Sequence, residues 1–156
     1  MEDIPKKNTK AFVITGIILV LALGIFFLIR TDGPTGNTVA VPQGPIHWHP
    51  HLTIKIDGEE QTIPTGIGIG TVHMPAHTHD ADGIIHLEND HPTAKTLTLG
   101  YFFKVWGKQF NKNCIFNYCT DKGDLKFSVN GKENTDFEKY SMHDKDEILV
   151  EYTSRK

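Results

Sequence analysis

Cysteine is scarce in this chain: Cys114 and Cys119 are the only two among 156 residues. They lack C-x-x-C spacing, which argues against a thiolate metal centre or a redox-active pair. A disulfide closing the Ile115-Phe116-Asn117-Tyr118 loop is the simplest expectation. So short a loop mainly fixes local shape and contributes at the low end of the usual entropic range. Positive charge is short as well. Beyond residue 30 there are 12 Lys and Arg against 17 Asp and Glu, a formal balance of −5. Nucleic acid and anionic lipid reward a basic face, so neither is an expected partner, whereas an acidic domain is compatible with gathering cations. Catalytic signatures are missing too: the chain has no H-E-x-x-H, no phosphate-binding glycine loop and no Ser/His/Asp array with a local signature. Those absences weigh against catalysis.

One long apolar run is present, Ala11 to Ile29, broken only by Thr15, Gly16 and Gly24. At about 1.5 Å per helical residue it just spans a hydrocarbon core of roughly 30 Å. Lys6, Lys7 and Lys10 precede it against Arg30 alone behind it, which by the positive-inside rule leaves the N-terminus in the cytoplasm and exports the rest. A cleaved signal peptide is the competing reading, with Thr38-Val39-Ala40 as the nearest cleavage candidate, but the run is longer than an ordinary h-region. The expected organisation is a cytoplasmic N-terminus over 1–10, a transmembrane anchor over 11–29, a flexible tether over 30–45 rich in Gly, Pro and Thr, and an extracytoplasmic domain over 46–156. The expectation is a single-pass protein of the cell membrane, with the membrane itself a partner through residues 11–29.

Histidine is what the domain has in excess. Of nine in the chain, eight fall between His47 and His91, and five of these are spaced two apart, in His47-Trp48-His49-Pro50-His51 and His77-Thr78-His79. Neutral imidazole is the commonest metal ligand, and residues i and i+2 of a strand share a face. Leu52, Ile54 and Ile56 continue the even positions, so the core takes those and the histidines take the opposite face. At roughly 3.3 Å per residue, His47 and His51 would stand about 13 Å apart on a straight strand, which favours His49 and His51 as one pair and leaves His47 nearby. With His77 and His79 they make four imidazoles, a set suited to copper or zinc rather than calcium or magnesium. His86 and His73 are the alternates. Glu88, Asp80 and Asp82 stand close enough in sequence to complete the ligand set or to hold ligand tautomers. His73-Met74 and Met142-His143 hint at a softer Cu(I) site, and Trp48 between two histidines could offer a cation–π face. His91, before Pro92, and His143, in a turn, are read as surface residues.

The remaining pattern is that of an α+β domain. A strand from about Trp48 to Asp57 turns at Asp57-Gly58-Glu59 and returns through Gln61–Pro64. In Gly66-Ile67-Gly68-Ile69-Gly70 one face has no side chains, which admits another backbone or marks a bulged edge. A short strand over Ile84–Glu88 puts Ile85 and Leu87 on one face and His86 and Glu88 on the other. Leu99, Phe102, Phe103 and Trp106 at i, i+3, i+4 and i+7, between Thr98 and Gly107, predict a capped helix whose aromatic stripe is core. Leu125, Phe127 and Val129 lead into the Asn130-Gly131 turn, and Ile148, Val150 and Tyr152 form a last strand.

A hairpin, a helix packed across it and two closing strands are the order of a β-grasp-like mixed sheet with one packed helix. The stretch Leu125-Lys126-Phe127-Ser128-Val129-Asn130-Gly131, followed by His143-Asp144-Lys145-Asp146-Glu147-Ile148, resembles the ending of ubiquitin-like sulfur carriers. The resemblance covers the last third and implies fold. Carriers of that kind finish in Gly-Gly, whereas Tyr152-Thr153-Ser154-Arg155-Lys156 stands here, so carrier activity is not implied. The exported part as a whole resembles a group of small membrane-anchored, exported, His-rich prokaryotic proteins. The resemblance rests on His47-Trp48-His49-x-His51, His77-Thr78-His79-Asp80, Gly83-Ile84-Ile85-His86-Leu87-Glu88 and Leu99-Gly100-Tyr101-Phe102-Phe103-x-x-Trp106-Gly107. It implies one exported module and leaves the chemistry to the residues.

The expected function is therefore capture or delivery of a copper or zinc ion outside the cytoplasm, toward a membrane or exported metalloprotein partner. The alternatives are an enzyme with three protein ligands, an open water position and Glu88 or Asp80 as general base, and a fold merely stapled by metal. A metal-free pH switch, in which protonated imidazoles charge one face, is the fourth.

Overall fold

The computed structural model describes residues 40–156. Among these no helix is long and apolar enough to cross a membrane, and the apolar run Ala11–Ile29 lies outside the described residues. The architecture of the described residues is mixed α+β: one five-stranded sheet, two three-stranded sheets and one α-helix.

The histidine-rich start of the domain forms two strands rather than one. β1 (Ile46–Trp48) ends two residues before β2 (His51–Ile56) begins. Pro50 lies between them, and a proline has no N–H to donate to a ladder. β2 alternates as its sequence implies, with Leu52, Ile54 and Ile56 buried. Asp57 and Gly58, at φ 52° and 86°, turn it into the two-residue β3 (Glu59–Glu60). The return is shorter than the apolar pattern suggests, with Gln61 N–H still donating to the Ile54 carbonyl at 2.8 Å.

β4 (Ala76–His77) and β5 (His86–Asn89) complete a three-stranded antiparallel sheet in the order β1-β5-β4. The glycine stretch that precedes β4 admits a neighbouring backbone. Gly68 has φ 72°, and a Cβ there would fall 2.8 Å from the Ala76 carbonyl oxygen and 2.9 Å from Val105 Cγ1. Thr78 ties the two segments together, because its Oγ1 donates to the Pro64 carbonyl and accepts from Ile67 N–H.

α1 (Leu99–Trp106) has the predicted caps. Thr98 Oγ1 accepts from Tyr101 N–H at 3.1 Å, and Gly107 takes the left-handed conformation at φ 71°. Leu99, Phe102 and Phe103 are fully buried, each such side chain contributing roughly 1.5–3 kcal/mol by leaving water. Trp106 packs beside Phe102, Phe103 and Phe116, so the aromatic stripe is core.

Three two-residue strands follow, β6 (Phe110–Asn111), β7 (Cys114–Ile115) and β8 (Tyr118–Cys119), and a Cys114–Cys119 disulfide closes the β7–β8 hairpin. β9 (Gly123–Val129) turns at Asn130-Gly131 into β10 (Lys132–Glu133), and β11 (Glu147–Ser154) ends the chain's regular structure. The main sheet has the order β10-β9-β11-β2-β3, with β11 parallel to β2 and antiparallel to β9. Leu52, Ile54, Phe127, Ile148 and Val150 from this sheet share one core with α1, Ile85 and Leu87.

Candidate metal centre

Strand register gathers the histidines. In the small sheet His47 stands opposite Glu88, and His77 stands opposite His86. Side chains directly opposite one another on antiparallel strands share a face, and so do residues two apart. His47, Glu88, His86 and His77 therefore project from one side of the sheet. Ile85 and Leu87 project from the other into the core, at 0% and 1% exposure. His49 and His79 sit two residues on from His47 and His77, just past the strand ends, and join the same face.

The distances confirm one cluster. Ring centroids of His47 and His49 are 4.7 Å apart, His49 and His86 4.8 Å, His79 and His86 4.5 Å, and His77 and His79 4.8 Å. His77 and His86 stack at 5.6 Å. His73, from the loop before β4, lies 5.2 Å from His77 and 6.2 Å from His79. Two triads have ligand atoms mutually within 4.8 Å: His47, His49 and His86, and His77, His79 and Glu88. A recess of about 360 Å³, whose lining includes His47, His73, His77 and Glu88, opens the cluster to solvent.

One tautomer follows from its partner. His77 Nδ1–H donates to the Met74 carbonyl at 2.9 Å, which leaves Nε2 as its acceptor nitrogen, and that atom lies 3.2 Å from His79 Nε2. Burial pushes the His77 imidazole below its ordinary pKa of 6.5; the hydrogen bond to the Met74 carbonyl and, less, Glu88 oppose this while His79 and His73 reinforce it. Burial likewise lowers His86, with His79, His49 and His77 adding to the effect and Glu88 opposing it. His86 Nδ1 is buried without a hydrogen-bond partner, 3.8 Å from Glu88 Oε1. Glu88 Oε1 is 3.0 Å from His47 Nε2.

His51 is not brought to this cluster. Its Nδ1 lies 3.1 Å from Glu147 Oε2 on the adjacent strand β11, and its Nε2 lies 3.0 Å from the Asp82 carbonyl. Both partners are acceptors, and Gly83 closes against the ring, where a Cβ would fall 3.0 Å from Nε2. The expected pairing of His49 with His51 assumed one continuous strand. Pairing with the β5 segment continues past Pro50 to a His51–Ile84 bridge, but at that position the ring is taken up by Glu147 of β11 and the Asp82 carbonyl.

Asp82 spends its carboxylate on Ile84 N–H at 2.9 Å, and Asp80 is exposed and belongs to neither triad. Trp48 faces away from the cluster and stacks on His143 at 5.9 Å. Met142 is wholly buried in the core, whereas Met74 is exposed beside His73. Asp144 is a contributor that the spacing of histidines does not reveal. Its Oδ1 accepts from His49 N–H at 2.9 Å, pinning the residue after β1 from a turn 95 residues away. No local pattern signals such a contact. Comparisons with known protein families, curated proteins and solved structures return no match for this chain.

Proposed function

We propose that this is a membrane-anchored protein whose extracytoplasmic domain captures a copper or zinc ion, for delivery to or protection of a membrane or exported partner. The observation that carries the reading is the convergence of six imidazoles and Glu88 on one face of a three-stranded sheet, with two triads inside 4.8 Å. Nitrogen-rich sets of this kind suit Cu(II) and Zn(II), while calcium and magnesium prefer oxygen. Lowered basicity at His77 and His86 supports it, because metal competes with protons for the same lone pairs. The acidic balance of the exported part draws cations toward the site.

Membrane attachment rests on the Ala11–Ile29 run and its lysine-rich leading flank. The main sheet is read as β-grasp-like: β2 and β11 form a parallel central pair, flanked by β3 on one side and by the β9–β10 hairpin on the other, with α1 in the shared core. In this reading the fold is a scaffold, and the small sheet appended to it carries the function. The test is elemental analysis of the full-length chain purified in detergent without an affinity tag or added metal. Stoichiometric copper or zinc is the expected result, and a metal-free protein that also fails to take up either ion would end the reading.

A further inference from the structure

We infer that the cluster holds two ions rather than one, in adjacent centres that share Glu88. The inference rests on the capture reading above and specifies its ligand sets. The cluster offers more donors than one four-coordinate ion takes, and its ligand atoms group as two disjoint triads, each with its atoms mutually within 4.8 Å. One centre takes His47, His49 and His86. The other takes His77, His79 and Glu88.

Glu88 is the link between them. It belongs to the second triad, yet its Oε1 stands 3.0 Å from His47 Nε2 and 3.8 Å from His86 Nδ1, both ligands of the first. A carboxylate has two oxygens and can give one to each ion, the arrangement that holds paired metals about 3.5–4 Å apart. Register makes this placement unavoidable, because Glu88 is the β5 residue opposite His47 and lies two positions from His86. The unpartnered Nδ1 of His86 is the second observation. It is buried where one ion would sit, and a native fold leaves few such atoms without a partner. With Glu88 shared, the first ion has four protein ligands, while the second has three and keeps one position open to the recess, as a centre that exchanges its cargo requires.

The test titrates the full-length, chelator-stripped chain in detergent with Zn(II) and counts bound ions by elemental analysis after gel filtration. Two per chain are expected, with one retained by H47A/H49A, one by H77A/H79A, and two by the control H91A. A single ion in the unaltered chain, lost in both double variants, would overturn the paired centres while leaving capture standing. No bound ion would remove capture itself. Loaded with Cu(II), the pair sharing Glu88 should be magnetically coupled, giving an integrated EPR signal well below two spins per two ions. E88Q, nearly the same shape, should either recover the full two-spin signal or drop to one ion. Uncoupled full intensity in the unaltered chain would overturn the sharing. Circular dichroism checks the fold of each variant, and should a double variant unfold, E88Q against the unaltered chain still decides.

Discussion

Among single residues, His86 and His51 separate most clearly. Both stand at polar positions of a strand, yet His86 touches the rings of His49, His77 and His79 while His51 is held by Glu147 and the Asp82 carbonyl. H86A removes a ligand and should weaken Zn(II) or Cu(II) binding at one centre by at least the roughly 10- to 100-fold that losing an outer-shell partner costs. H51A should leave metal affinity unchanged, as isothermal titration of the full chain would show. A pH effect belongs at the same scale. His77 and His86 have folded pKa values below 6.5, so below that pH the unfolded chain takes up protons that the folded chain resists. Their contribution is intact above about pH 6.5 and is lost as pH falls from there toward the folded values. The metal-free chain should therefore melt at progressively lower temperature below pH 6.5, and the fall should shrink in H77A/H86A. A melting temperature flat from pH 7 to pH 5 would contradict it.

Within the secondary-structure elements, the sequence was most legible where a signal is local. Thr98 and Gly107 bound the helix because capping and left-handed closure depend on neighbours within one turn. The Asp57-Gly58 and Asn130-Gly131 turns form for the same reason, their residues tolerating positive φ. The first strand was not legible in this way. Its alternation runs unbroken from His47 to Ile56, and only the partners met across strands, Glu88 and His86 for His47 and His49 but Glu147 for His51, separate one group of histidines from the other. The glycine stretch shows what that small sheet demands of its surroundings. G68A combines a positive φ with a Cβ 2.8 Å from the Ala76 carbonyl, next to His77. It should cost about 1–3 kcal/mol in denaturant unfolding and loosen metal binding through β4. Stability within a few tenths of a kcal/mol of the unaltered chain would show that the loop can move aside.

For the whole molecule, the prediction concerns location. If Ala11–Ile29 anchors the chain, the full-length protein should stay in the membrane pellet after alkaline carbonate washing, and protease added on the extracytoplasmic side should digest the domain. Release by carbonate would sink the anchor. The sequence by itself determined the composition of the histidine cluster: which residue types it uses and their alternation with core residues. It also determined the caps, the tight turns and the cysteine pair, since each of these is decided within a few positions along the chain. The tertiary structure alone decided membership. His86 and Glu88 moved to the centre, His51 moved out to Glu147, and Asp144 reached His49 from 95 residues away. The physical reason is that a ligand set depends on strand register across sheets, and register is fixed by distant pairings such as His47 with Glu88 that no local spacing encodes.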